Sequence, residues 1–420
     1  MLLLAAAALT ASLEAKVDAY LNPLVRAKDF NGVVLVAKGE KPLVQRSYGM
    51  ADWELDARLT MRSRFRIASI TKTFTAAAIS ILAERGRLSY ADPLSKFIPG
   101  FPNGEKITIR HLLLHQSGVG ESDASPCSSA TLDDLVREIE SAKPAFEPGT
   151  NGRYSNAGYA LLARVIERAS GQTWDAFLRN EIFKPLSLAD TLADSEMNVV
   201  PRRVSGYVPG PGESGFLNAH CQGAWAAIGS GALISTAGDL HRWARAVRNE
   251  SLFRRSTLEH PYGWGVRKYF DRDAIEQSGI MNGTASYVAT YLKDDLYVVV
   301  LSNVQTGALT SIGKGLAALA LGAEPPKLTP SPPTVASTAE ERSKWIGRFA
   351  SDKVGSPRIA ESDGTLTLRW CATCDAVYLV STGPMRSYDR QDSIALELTP
   401  DGGLTMRWPD GNVATFVRTE

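Results

Sequence analysis

The sequence predicts an α+β fold, an antiparallel sheet with helices packed on it and a helical insert, followed by a small all-β module. Three observations predict it. Strand-like apolar runs lie at both ends of the stretch from Leu13 to Leu321, and helical runs fill its middle, so the sheet is assembled from the two ends. A Pro-rich segment, Pro325-Pro326-Lys327-Leu328-Thr329-Pro330-Ser331-Pro332-Pro333, reads as a semi-rigid linker. Beyond it the pattern changes to short strands separated by turn residues. The expected division is 1–12, 13–323, a linker over 324–338, and a β-sheet or barrel module over 339–420.

The elements follow in order. Leu13 to Lys28 reads as an amphipathic helix. Gly32 to Ala37 and Leu43 to Tyr48 read as a hairpin turning at Gly39-Glu40-Lys41-Pro42. Phe65-Arg66-Ile67-Ala68-Ser69-Ile70-Thr71-Lys72 opens a helix of small and apolar residues that ends at Gly86. Apolar character on all sides of a helix predicts burial. Ile107 to Gly118 predicts a short helix with Thr108 as N-cap. Further helices are expected at Thr131–Ala142, with acids in its first turns, at Ala157–Ser170, Thr173–Phe183 and Ala237–Asn249. Ser286–Lys293 and Leu296–Asn303 flank Asp294-Asp295 as a second hairpin, and a last helix covers Thr310–Leu321. In the tail, strands are expected at Leu366–Trp370, Val377–Val380, Ile394–Leu398, Leu404–Trp408 and Val413–Arg418.

Composition narrows the function. The chain has 420 residues, 44% hydrophobic and 22% charged, with a net charge of +1. That is ordinary globular composition, with no electrostatic basis for nucleic acid or an anionic membrane as partner. No internal run is long enough for a membrane-spanning helix. Met1 to Ser12, nearly all Leu and Ala, resembles the apolar part of a secretory signal, with Ala8-Leu9-Thr10-Ala11 as a small-x-small cleavage pattern. The positive residues usual before such a run are missing, and an N-terminal extension of the first helix is the alternative. The expected location is periplasmic or secreted. Four cysteines suit an oxidising compartment. A Cys127–Cys221 disulfide and two free thiols are equally compatible with the sequence. Cys371 and Cys374 form a C-A-T-C between strand-like runs, where neither a zinc site nor a redox motif is expected, and no cofactor is.

The chemistry centres on Ser69 and Lys72. Residues three apart on a helix share a face, which sets a hydroxyl beside an amine whose proton affinity burial lowers. Ser-x-x-Lys alone is a weak signal, because Ser311-Ile312-Gly313-Lys314 repeats it. Tyr-x-Asn is equally common, since Tyr20-Leu21-Asn22 matches as well as Tyr154-Ser155-Asn156. Position separates the copies. Ser69 lies at the start of a buried helix, where free N–H groups favour a developing anion, and Tyr154 lies in a turn that can reach a cleft. His111 and His115 are four apart but lack H-E-x-x-H, so hydrogen-bonded structural histidines are expected.

Five segments in order carry a resemblance. Phe65 to Phe74, Ile107 to Gly118, Tyr154 to Tyr159, Gly229 to Leu240 and Tyr262-Gly263-Trp264-Gly265 are similar to the serine β-lactamase-related family, which includes class C β-lactamases, DD-carboxypeptidases and esterase and amidase relatives. The resemblance covers Leu13 to Leu321. It implies a β-lactamase/DD-peptidase-like fold and a covalent acyl-enzyme on Ser69, with Lys72 and Tyr154 sharing general-base work. It also implies that Asn156 orients substrate and Lys72. Glu276-Gln277-Ser278-Gly279-Ile280 corresponds to the strand motif Lys-Thr-Gly or His-x-Gly, giving Gln277, Ser278 and Gly279 to substrate binding. The backbone N–H groups of Ser69 and Ile280 would form the oxyanion hole. Gln277 departs from the pattern, because it carries no charge for a substrate carboxylate. The expected substrates are therefore small esters, amides or D-amino-acid peptides. Weak β-lactamase or DD-carboxypeptidase activity, and a catalytically idle relative binding peptidoglycan fragments or a partner protein, are the alternatives.

Overall fold

The structure is a computed structural model. It describes residues 2–420 except 123–130, 196, 211–214, 220–226, 255–261, 352–353, 363, 371–375, 384, 393 and 410, and side chains only from residue 13 onward. All four cysteines lie outside the described residues.

Helix α1 (Leu2–Arg26) leads into the hairpin of β1 (Gly32–Lys38) and β2 (Lys41–Tyr48). The helices of the insert are α2 (Thr71–Glu84), α3 (Ile109–Leu113), α4 (Leu132–Ser141), α5 (Asn156–Ser170), α6 (Trp174–Leu178) and α7 (Ala237–Arg248). The chain then returns to the sheet as β3 (Gly265–Tyr269), β4 (Arg272–Met281), β5 (Thr284–Tyr291) and β6 (Leu296–Ser302), and closes with α8 (Leu309–Leu321). The strand order is β3-β4-β5-β6-β1-β2, antiparallel throughout. β1, from near the start, pairs with β6, from near the end, in the register Val34↔Val300.

Period-two alternation sorts the strands into two cores. Val33, Leu35, Val288, Val299 and Leu301 face the insert. Val34, Val36, Tyr287, Val298 and Val300 face α1 and α8. Strands covered on both sides read as continuous apolar runs, and every residue of β5 and β6 is buried. The helix α2 is buried from Thr71 through Leu82. Its threonines escape the cost of burial by bonding across the insert. Thr73 Oγ1 donates to Ile70 O and accepts from Trp243 Nε1, and Thr75 Oγ1 donates to Gly229 O and accepts from Trp174 Nε1.

After the linker, eight strands from Gly347–Ala350 to Val413–Arg418 form a closed antiparallel barrel around Phe349, Leu368, Leu396 and Met406. Closure removes exposed sheet edges from a module too small to tolerate them. The loop after the barrel strand Arg386–Asp389 reaches the sheet module. Arg390, 8% exposed, donates to Ala27 O and Gly215 O and faces Asp29 at 3.4 Å. Asp29 also accepts from the backbone and hydroxyl of Ser331 in the linker.

Several boundaries differ from expectation. Ser69 does not belong to α2 itself: it lies in a 3-10 turn, Ala68–Ile70, just ahead of it. The helix capped by Thr108 stops at Leu113, because His115 takes a left-handed φ of 59° before Gly118 is reached. The helix expected to run to Phe183 becomes a π turn after Leu178. Among the described residues, no helix is long and apolar enough to cross a membrane.

Candidate active site

The turn bearing Ser69 is held by three hydrogen bonds to two distant segments. Ile67 N–H donates to Leu233 O, Ile67 O accepts from Ser286 Oγ at 2.7 Å, and Leu233 N–H donates to Thr71 Oγ1. Ala68 has a φ of 44°. Left-handed geometry at a non-glycine residue costs roughly 1–2 kcal/mol and persists only where surrounding contacts enforce it. The result is a sharp bend that leaves Ser69 half-buried at the head of α2.

Three predicted residues converge there. Ser69 Oγ lies 2.6 Å from Tyr154 Oη and accepts from Lys72 Nζ at 3.1 Å. Lys72 Nζ also donates to Asn156 Oδ1 at 2.8 Å and to Ser230 O at 2.9 Å. Lys72 is 0% exposed, and burial lowers its pKa from 10.5 to about 7, against an opposing pull from Glu121. Tyr154 is 52% exposed as a whole. Its hydroxyl faces Ser69 Oγ, and burial is the largest cause of its raised pKa. Its ring lies 4.7 Å below Lys72 Nζ and 4.8 Å from the His115 ring. Ser155 caps α5 through Gly158 N–H, which fixes Tyr154 and Asn156 on either side of the cap.

His111 and His115 are both hydrogen-bonded within the protein. His115 Nδ1 accepts from Ser155 N–H, and burial together with the Lys72 charge lowers its pKa to about 4, so it is neutral. His111 completes a capping box with Thr108. No group of three or more metal-ligating side chains occurs among the described residues.

Strand β4 passes along the opposite side. Gly279 approaches so closely that a Cβ there would sit 2.5 Å from Ser69 N and 2.8 Å from both Ala68 Cβ and Ile67 O. Only glycine permits this approach, which brings Ile280 to the Ser69 turn. Ser278 and Ile280 are exposed beside the buried Gly279. Gln277 is engaged within the protein: Nε2 donates to Gly263 O at 3.0 Å and Oε1 accepts from Ser278 N–H at 3.1 Å. Gly263, with a φ of 78°, lies against Lys72 O and Thr73 Cα. The Gln277 side chain therefore ties β4 to the head of α2.

The decoys lie elsewhere. Lys314 of the second Ser-x-x-Lys covers the Tyr269 ring, and Tyr20 donates to Pro326 O. Sequence reasoning missed Ser230, whose contribution is a backbone carbonyl and so carries no side-chain signal. It also missed Glu121, a single acid in a loop. A cleft of about 510 Å³ opens between 197–206 and Asn218-Ala219, with Arg66 and Arg203 on its wall, both paired with Asp194. The loops Gly118–Ser129 and Val199–Gln222, which the sequence offers as the lining of an acyl pocket, lie partly outside the described residues.

The fold, with the family match that follows, defines a serine hydrolase. The Beta-lactamase family matches residues 17–322, and the chain belongs to that family. It is 29% identical over 312 residues to penicillin-binding protein 4* of Bacillus subtilis (strain 168), covering 65% of this chain and 68% of that one. The octameric penicillin-binding protein homologue from Pyrococcus abyssi superposes with a TM-score of 0.66 at 21% identity, over 96% of this chain and 99% of that one. The D-amino acid amidase from Ochrobactrum anthropi SV3 gives a TM-score of 0.64 at 21% identity, over 74% and 96%. The two solved structures share the fold.

Proposed function

We propose that the protein hydrolyses small esters, amides or D-amino-acid peptides through an acyl-enzyme on Ser69, with Lys72 as general base and Tyr154 as proton relay. The observation that carries this reading is the hydrogen-bonded chain Tyr154–Ser69–Lys72, which ends on an amine with no solvent exposure. A lysine at about 7 is partly neutral near neutral pH, whereas Tyr154 is raised above its ordinary value. The neutral amine is thus the available base. Lys72 takes the Ser69 proton as Oγ attacks the carbonyl. The oxyanion is received by the amides of Ser69 and Ile280, and Tyr154 delivers the proton to the leaving group. Water then cleaves the acyl-enzyme by the reverse relay. Asn156 and Ser230 O hold Lys72 in register throughout.

Substrate preference follows from Gln277. A carboxylate arriving along β4 meets a neutral amide that is already bonded at both ends, so β-lactams and carboxylate-terminated peptides lose a charge-assisted partner. A relative titled D-amino acid amidase is consistent with substrates lacking that carboxylate. The test is a panel of p-nitrophenyl acetate, D-amino-acid amides, D-Ala-D-Ala peptides and nitrocefin. Ester or amide turnover ahead of nitrocefin is expected, and the opposite ranking contradicts the assignment.

A further inference from the structure

Lys72 makes three hydrogen bonds, to Ser69 Oγ, Asn156 Oδ1 and Ser230 O, all to neutral acceptors. An ammonium removed from water without an anion is costly, and its positive form must be stabilised at the moment Ser69 gives up its proton. Among the described residues, the acid whose charge acts on it is Glu121. Glu121 follows the Gly118–Gly120 turn and lays its carboxylate against the start of α5, where Oε2 accepts from Ala157 N–H at 3.1 Å. Ala157 is next to Asn156, whose side chain holds Lys72. Glu121 Oε1 is buried with no hydrogen-bond partner among the described residues. Ser155 Oγ caps α5 through Gly158 N–H, and Glu121 takes a second free N–H of the same helix end.

We propose that Glu121 is a positioning residue of the acyl-transfer site, its buried carboxylate serving as the counter-charge to the Lys72 ammonium formed when Ser69 is deprotonated. The inference rests on the Ser69–Lys72 reading above. Other titratable groups among the described residues of the surroundings do not supply that charge. His115, at the end of the α3 segment, is neutral with its pKa lowered to about 4. Tyr154, before α5, and Tyr159, on α5, are both raised above the ordinary phenol value by burial. Glu138 of α4 accepts from Ser122 Oγ, the neighbour of Glu121 in sequence. Proton balance is simple: the proton moves from Ser69 to Lys72 and then through Tyr154 to the leaving group.

The sign follows. Glu121 favours protonated Lys72, so removing its charge lowers the pH at which Lys72 becomes a free base. Glu121→Gln retains an oxygen for Ala157 N–H and removes the charge. The acid limb of kcat/KM for p-nitrophenyl acetate is expected to move to lower pH by about half a unit or more, while Glu121→Asp, which keeps the charge, leaves it within a few tenths. Thr131→Ala, which removes the cap of α4, should lower the melting temperature without moving the limb. Should Glu121→Gln fold too poorly to assay, Glu121→Ser gives the same uncharged reading. An unmoved limb in a folded uncharged variant overturns the proposal. Fluorophosphonate labelling of Ser69 in the same samples separates that result from failure of the hydrolase reading, which loss of labelling alone would signal.

Discussion

Gly279→Ala tests the closeness of β4 to the nucleophile turn. The added methyl would lie 2.5 Å from Ser69 N and 2.8 Å from Ile67 O, where ordinary contact begins at 3.4 Å. Relief therefore requires a shift of about 0.9 Å. Neither side yields easily. Gly279 pairs with Ser286 in the sheet, and the Ser286 hydroxyl holds Ile67 O at 2.7 Å. The displacement must fall on the gap between the Ser69 and Ile280 amides. A misplacement near 1 Å costs about 100-fold in rate, or about 2.7 kcal/mol of barrier. We expect kcat for p-nitrophenyl acetate to fall roughly 100-fold while overpacking costs about 1–3 kcal/mol of stability. A Gly279→Ala enzyme within threefold of wild type, and equally stable, would refute the placement of the oxyanion donors.

Further expectations follow from other contacts. The acid limb of the wild-type pH–rate profile should centre near 7, the value to which burial brings Lys72, and Lys72→Met should abolish turnover. Because Lys72 keeps its proton up to 10.5 when unfolded and only to about 7 when folded, it makes stability rise with pH across that window. Denaturant titrations at both ends should show a slope that Lys72→Met removes. Gln277→Ala releases Gly263 O from its bond and should lower kcat/KM about 5-fold, the equivalent of about 1 kcal/mol. Gln277→His should raise nitrocefin turnover relative to ester turnover, which parallel assays would read. Arg390→Met removes the barrel's buried bonds to Ala27, Gly215 and Asp29 and should cost about 3 kcal/mol. Calorimetry should then resolve separate melting of the barrel; an unchanged single transition would contradict this.

Much of the sheet module was legible because its signals are local. The β1–β2 turn, the Thr108 cap and the all-round apolar α2 are each determined within a few residues. What the pattern missed depends on tertiary context. The 3-10 turn at Ser69 exists because Leu233 and Ser286, far away in sequence, grip Ile67. The barrel strands at Gly347–Ala350, Arg358–Ser362 and Arg386–Asp389 are short and rich in charge, and they become strands by closing a ring of neighbours. In the site, Ser69, Lys72, Tyr154 and Asn156 were readable as motif residues. Gln277 stood out by its chemistry, but its bond to Gly263 O crosses the strand β3 connection and has no sequence signature.

The most direct test of the account is covalent. The protein is treated with a fluorophosphonate, digested, and the modified peptide identified by mass spectrometry, with Ser69→Ala in parallel. The adduct should fall on Ser69 alone and disappear in the variant. Labelling that persists in Ser69→Ala, or that maps to another residue, would contradict the assignment of Ser69 as nucleophile.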